Sequence, residues 1–170
     1  DYWEGGEISW LTPADLSNYE DIWISSGRRF ITQEGLEKSS ARMMPKGTVL
    51  MSSRAPIGHL AIASNSMSTN QGFKSFVLNS EMDPEYVYFY LLSIKHLIQE
   101  LGTGTTFTEV SGKVCKSISI PVPPLEIQRT IADKIKQHRL KKLGFTAIIK
   151  KISEDSEVLY QSILFQSFKS

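Results

Sequence analysis

Arg54, Asn70 and Gln71 carry planar polar forks, and such forks match nucleobase edges bidentately, Arg with guanine and Asn or Gln with adenine. The chemistry they point to is non-covalent. Asn70 and Gln71 sit in the polar run Ser68-Thr69-Asn70-Gln71-Gly72-Phe73, where their other use is to hydrogen-bond a turn backbone. Ser25-Ser26-Gly27-Arg28-Arg29 is a small, doubly basic loop that can reach a phosphate or a guanine edge, or equally be an ordinary solvated loop. Gly102-Thr103-Gly104-Thr105-Thr106-Phe107 lacks the Gly-Lys-Ser/Thr ending of a nucleotide-binding loop and follows a predicted helix rather than a strand. It can still offer backbone N–H groups and hydroxyls to a polymer phosphate.

Covalent chemistry finds no support. His59, His96 and His138 lie on different predicted elements, and no pair has metal-ligand spacing. A Gly-x-Ser-x-Gly elbow is absent. Pro121-Val122-Pro123-Pro124 is not the Asn-Pro-Pro-aromatic motif of amino-methyltransferases, and no glycine loop for a methyl donor accompanies it. Cys115, between Lys113 and Lys116, has no base partner and reads as a buried structural thiol. Asp15, three residues past Thr12, reads as a helix cap.

The elements that must position these side chains follow from pattern. Glu7 to Leu11 is a short strand, Thr12-Pro13-Ala14-Asp15-Leu16 a helix start, and Thr32 to Leu36 a second brief helical turn. Thr48 to Arg54 and His59 to Ala63 form a hairpin broken by Ala55-Pro56-Ile57-Gly58, with Arg54 at the mouth of its loop. Lys74 to Leu78 is a strand. Asp83-Pro84 opens a helix whose core face is Val87, Tyr90, Leu91, Ile94, Leu97, Ile98 and Leu101, and Ile118-Ser119-Ile120 is a last strand.

The tail is one long helix from about Leu125, started by Pro123 and Pro124. At ~1.5 Å per residue it would reach roughly 65 Å, twice a small domain, so it is expected to project beyond its own domain. One seven-residue seam carries Ile131, His138, Phe145, Ile152 and Leu159, and its neighbour carries Gln128, Ile135, Lys142, Ile149, Ser156 and Ile163. The alternative is two shorter helices hinged at Gly144 and folded back on the globular part.

The 170 residues, 41% hydrophobic, suffice for one globular domain and an appendage. A single cysteine excludes a disulfide framework and suits a reducing cytoplasm, and no apolar run approaches a membrane span. The chain opens at Asp1 without methionine and is read as an excerpt of something longer. Net charge is +1, unevenly spread. Residues 1–21 hold six acids and no Lys or Arg; residues 22–80 hold seven bases against two acids, and residues 125–170 nine against five.

Five motifs follow in order: the segment from Trp3 to Leu16, Leu50-Met51-Ser52-Ser53-Arg54-Ala55-Pro56-Ile57-Gly58, Thr69-Asn70-Gln71-Gly72-Phe73, Gly104-Thr105-Thr106-Phe107, and the segment from Ile120 to Ala132. Together they resemble one recognition repeat of a type I restriction-modification specificity (S) subunit. The resemblance implies a non-catalytic DNA-reading subunit. Members carry two recognition domains, each followed by a long helix; the helices pack antiparallel, hold the domains apart and bind methyltransferase subunits. This chain has one domain and one helix, so it is half of such a subunit or a half-sized form that dimerises. It lacks the strand and Gly-Thr-Pro segment that usually precede Trp3, and Ser170 stands where Gly-Glu-Leu usually continues. Because members that read different sequences have them, the resemblance implies that the shared motifs serve largely as scaffold.

The resulting expectation is an α+β protein: a mixed-sheet target-recognition domain over 1–122, then a long helix over 123–170 that pairs antiparallel with a partner helix. Arg28, Arg29, Lys46, Arg54, Asn70, Gln71, Lys74, Thr103, Thr105, Thr106 and Lys113 are the candidate DNA contacts, with Lys116 a further phosphate neutraliser. Ile131, Ile135, His138, Phe145, Ile149, Ile152 and Leu159 are the candidate helix-pairing residues. Expected partners are double-stranded DNA, methyltransferase and restriction subunits, and a second copy or second half; methyl donor, ATP and magnesium would reside in those subunits. The competing expectations are a helical protein-protein scaffold and the recognition domain of a fused restriction-methylation enzyme.

Overall fold

A computed structural model describes residues 2–103 and 108–167. Contacts divide the chain into a compact unit over residues 1–130 and a second over residues 131–170. The protein is α+β, with two mixed four-stranded sheets in the first unit and a long C-terminal helix.

The strands are β1 (Ile8–Leu11), β2 (Trp23–Ile24), β3 (Arg29–Ile31), β4 (Met43–Met44), β5 (Val49–Ser52), β6 (Leu60–Ala63), β7 (Met67–Thr69) and β8 (Phe73–Phe76). One sheet runs β3-β1-β7-β4, the other β2-β6-β5-β8. Each contains one parallel pair, β1 with β7 and β2 with β6, among antiparallel neighbours. The hairpin expected from residues 48–63 forms, with Val49 opposite Ile62 and Met51 opposite Leu60.

Alternation decides the layering. Leu50, Ala61, Ala63 and Phe73 of one sheet meet Leu11 and Met67 of the other, joined by Leu16 and Ile24, in a core between the sheets. Val49, Met51, Leu60 and Ile62 point the opposite way, where helix α2 (Pro84–Ser93) packs on β5 and β6. Strands β5 and β6 are therefore buried on both faces, which is why they read as continuous apolar runs. A Leu50→Ala change in such a position costs about 2–5 kcal/mol.

The helical residues 84–100 differ from the sequence expectation. A single helix does not form: α2 ends at Ser93, Ile94 adopts φ −101°, ψ 13°, and α3 (Lys95–Glu100) begins after it. Leu97 and Leu101, placed in the core by periodicity, are about half exposed. Residues 118–120 form no strand. Their carbonyls, and that of Pro121, are partly satisfied by tyrosine hydroxyls instead, Tyr90 donating to Ser119 and Tyr86 to Pro121. Three short helical elements complete the unit, a 3-10 turn (Pro13–Leu16) after Thr12, α1 (Gln33–Glu37), capped by Thr32, and α4 (Gly112–Ser117), capped by Ser111.

Helix α5 (Leu125–Ser167) is continuous for 43 residues and passes through Gly144 without a break, so the hinged pair is not formed. Its first turn belongs to the globular unit. Gln128, which seven-residue spacing puts in the pairing seam, is fully buried there and bonds backbone groups of Glu81, Asp83 and Pro123. In the second unit Ile131, Ile135, His138, Phe145, Ile149, Ile152 and Leu159 are all exposed. Among the described residues no helix is long and apolar enough to cross a membrane.

Candidate nucleic-acid interface

Arg54 sits two residues past the end of β5, and the Ser53 backbone just before it is held from both sides. Ser53 donates its N–H to the Gly72 carbonyl at 2.7 Å, and its own carbonyl accepts the Val110 N–H at 2.9 Å. Ser52 closes the loop beyond: its hydroxyl donates to the Pro56 carbonyl and accepts the His59 N–H. These bonds bring the β5 end against residues 109 and 110. There the Glu109 carboxylate meets Arg54 Nε through one oxygen and Lys74 Nζ through the other, each at 3.0 Å. The Lys74 and Arg54 bonds hold the Glu109 carboxyl below its ordinary range, against a smaller opposing effect of burial. Thr103 joins the same group by an antiparallel bridge, its N–H and C=O both bonded to Glu109.

Lys74 also lines a cleft of about 600 Å³ between the first sheet, β8 and α4. Trp10, Phe73 and Phe76 supply aromatic wall, Asn70 and Gln71 amides, and Arg42, Lys74 and Lys116 positive charge; among the described residues no Asp or Glu lies on the wall. A groove lined by one sign of charge concentrates counter-charged polymer, and forked amides beside it are the groups that read base edges. Cys115 lines the same cleft but is itself buried, and burial pushes its thiol up, with the charge of Lys74 opposing.

Asn70 serves the turn with its oxygen. Its Oδ1 accepts the Gly72 N–H at 2.9 Å, while a Cβ on Gly72 would lie 2.8 Å from Pro13 Cγ, so this tight turn requires glycine. Gln71, at the tip, is exposed, and its side chain holds no hydrogen bond among the described residues.

The other predicted contacts lie apart from the cleft wall. Arg28 is anchored by its backbone N–H to Asp15 Oδ1 at 3.0 Å, with its guanidinium 3.8 Å from the same oxygen and mostly exposed. Asp15 therefore does cap Thr12, and also ties down the basic loop. Arg29 lies opposite Trp10 across β1 and β3 and stacks on Trp3, its Cζ 3.7 Å from the ring centroid. Trp3 in turn meets Trp10 edge-on at 5.7 Å, which links Arg29 to the cleft wall through two indoles. Lys46 is exposed in the turn before β5, near the start of α2, and Lys113 is exposed on α4 one turn from Lys116. Thr105 and Thr106 lie outside the described residues.

Glu109, Arg42 and Trp10 are the site residues that sequence reasoning missed. No local signal marks Glu109, because its partners lie 55 and 35 residues away. Arg42 was legible only as part of a basic stretch, and Trp10 only as a strand residue. Among the described residues no group of three or more His, Cys, Asp or Glu is placed to hold a metal ion.

The sequence model of the family described as "Type I restriction modification DNA specificity domain" matches residues 1–154. The Type I restriction enzyme MjaIX specificity subunit of Methanocaldococcus jannaschii is 39% identical over 173 residues, covering 100% of this chain and 38% of that protein. The EcoR124I/EcoR124II specificity subunit of Escherichia coli is 24% identical over 139 residues, covering 78% and 34%. A chain solved in work on complex assembly and conformational transition of the type I R-M system superposes with TM-score 0.78 at 22% identity, covering 99% of this chain and 40% of that one. The HsdS subunit from Thermoanaerobacter tengcongensis gives 0.63 at 22% identity, covering 81% and 31%. These two structural likenesses speak for the fold alone. The chain spans about two-fifths or less of the length of each of these four proteins.

Proposed function

Because the chain belongs to the type I restriction modification DNA specificity domain family, we propose that its globular unit reads one half of a bipartite target in double-stranded DNA. The observation that carries this reading is the cleft, with three cations, two amides and three aromatic rings on a wall that has no carboxylate among the described residues. Arg42, Lys74 and Lys116 hold phosphates; Gln71, the free amide end of Asn70 and Arg54 address bases. Thr103, Thr105 and Thr106 are proposed contacts to the DNA backbone. Arg28, Arg29, Lys46 and Lys113 contribute to the positive field around the site rather than to the cleft itself.

The exposed apolar residues of α5, from Ile131 to Leu159, pair antiparallel with the matching helix of a second copy or a second half. The pair then sets the distance between two readers and offers a docking surface to methyltransferase and restriction subunits. The chain supplies recognition. Reaction chemistry, with methyl donor, ATP and magnesium, stays with those subunits.

The same exposed stripe favours a second reading, in which the helix alone is functional as a protein scaffold. Binding to duplex DNA across a salt series separates the two. Phosphate contacts make log K fall with log salt by about 0.9 for each phosphate neutralised, whereas an apolar helix pair barely responds. A chain that binds duplex DNA no better at 50 mM than at 300 mM salt is a scaffold and not a reader.

A further inference from the structure

Glu109 meets Arg54 at Nε, the inner nitrogen of the guanidinium, so the contact leaves the outer two nitrogens of the fork unused. No other hydrogen bond or ion pair of the Arg54 side chain occurs among the described residues, and that side chain is about half exposed. The carboxylate is not on a loose element. Glu109 is bridged through its backbone to both Thr103 and Arg54, and its neighbour Val110 is bonded to Ser53. Its second oxygen fixes Lys74, which lines the cleft. One anchored carboxylate thus sets where two cationic heads stand before any ligand arrives, and groups ordered in advance lose less entropy on binding.

We propose that Glu109 is a positioning residue of the DNA-reading site: it grips Arg54 by the inner nitrogen so that the outer fork addresses a base edge, and it steadies Lys74 for the adjoining phosphate. The inference rests on the DNA-reading assignment made above. A carboxylate that only stood in a phosphate's place would act oppositely, since removing its charge would tighten binding to every sequence and leave base preference intact.

The test is selection of duplexes from a randomised double-stranded pool by the 170-residue chain and by its E109Q, R54A and R54K variants, with salt titrations on an enriched and a scrambled duplex. R54A and E109Q are expected to lose preference at the same base position, by about tenfold in discrimination. E109Q, with one negative charge fewer, binds the scrambled duplex at least as tightly as the parent. R54K keeps the charge and the salt slope and loses that same position, so the readout does not hang on one variant folding. A uniform gain in affinity with preference intact, a loss at unrelated positions, or an Arg54 without any base preference overturns the positioning role. A parent chain that enriches no sequence overturns the DNA-reading assignment itself, and the two failures are distinct.

Discussion

The Gln128 side chain, with no solvent exposure, accepts the backbone N–H of Asp83 at 2.8 Å. Its amide nitrogen donates to the carbonyls of Glu81 and Pro123 at 2.8 and 2.7 Å. Asp83 in turn caps α2, accepting the Tyr86 N–H at 3.0 Å. One amide therefore fastens the start of α5 to the start of α2. Gln128→Leu keeps the volume but strands one donor and two acceptors, and each buried group left unpaired costs about 1–3 kcal/mol. Urea denaturation should show a loss of at least about 2 kcal/mol, far beyond the ±0.5 kcal/mol of an exposed helical site.

Arg42→Gln and Lys116→Gln test the cleft separately from the fold. Both residues are exposed, so thermal stability should barely change. If each holds a phosphate, the slope of log K against log salt for duplex DNA becomes shallower by about 0.9 per substitution, with base preference kept.

The Glu109 carboxyl sits below its usual 4.5, owing first to its hydrogen bond from Lys74 and then to that from Arg54. A carboxyl depressed in the folded state stabilises the fold above its unfolded pKa, and that contribution disappears as pH falls through the folded value. The difference in urea midpoint between the parent and Glu109→Gln should thus be constant above about pH 6 and shrink steadily below about pH 4.5. A difference that grows on acidification would contradict the ion-pair assignment.

Two glycines give opposite outcomes. A Cβ on Gly6 would lie 2.7 Å from the Ile31 carbonyl carbon, a backbone atom that cannot turn aside, so Gly6→Ala should destabilise by about 1–3 kcal/mol. A Cβ on Gly144 meets nothing within 4 Å and sits mid-helix, so Gly144→Ala should stabilise α5 by about 0.5–1 kcal/mol. Circular dichroism melts of the two variants measure both signs.

Cys115 is buried, and burial pushes its thiol up. Since the thiolate is the reactive form, Ellman's reagent should modify it at least about tenfold more slowly in the folded chain than in guanidinium chloride at the same pH.

Where a segment is long and strongly patterned, sequence and structure agree. Helix α5, the β5–β6 hairpin and the caps at Thr32 and Asp83 are local features, encoded within a few residues of themselves. Strands β2 and β4, two residues each, are too short to carry a period. The break at Ile94 was hidden because an apolar repeat can continue across a non-helical residue. The site divides along the same line. Asn70, Gln71, Lys74 and Arg54 could be named from side-chain chemistry, but Glu109 owes its role to three segments meeting. Gln128 misled for the converse reason: heptad spacing takes no account of backbone groups arriving from residues 81 to 83.

The parallel pairs β1–β7 and β2–β6 have one more effect, felt before the protein is finished. Emerging from the ribosome, β1 finds only β3 nearby and must wait for Met67–Thr69; β2 waits for Leu60–Ala63, and β5 for Phe73–Phe76. The first sheet lacks β7 until Thr69 is out and the second lacks β8 until Phe76 is out, so the preceding residues travel as open-edged pieces that a chaperone can hold. Synthesis that stops short of Phe76 leaves a chain with β5 unpaired on one side and apolar residues on both of its faces, a fragment fated for proteolysis or clumping rather than partial function.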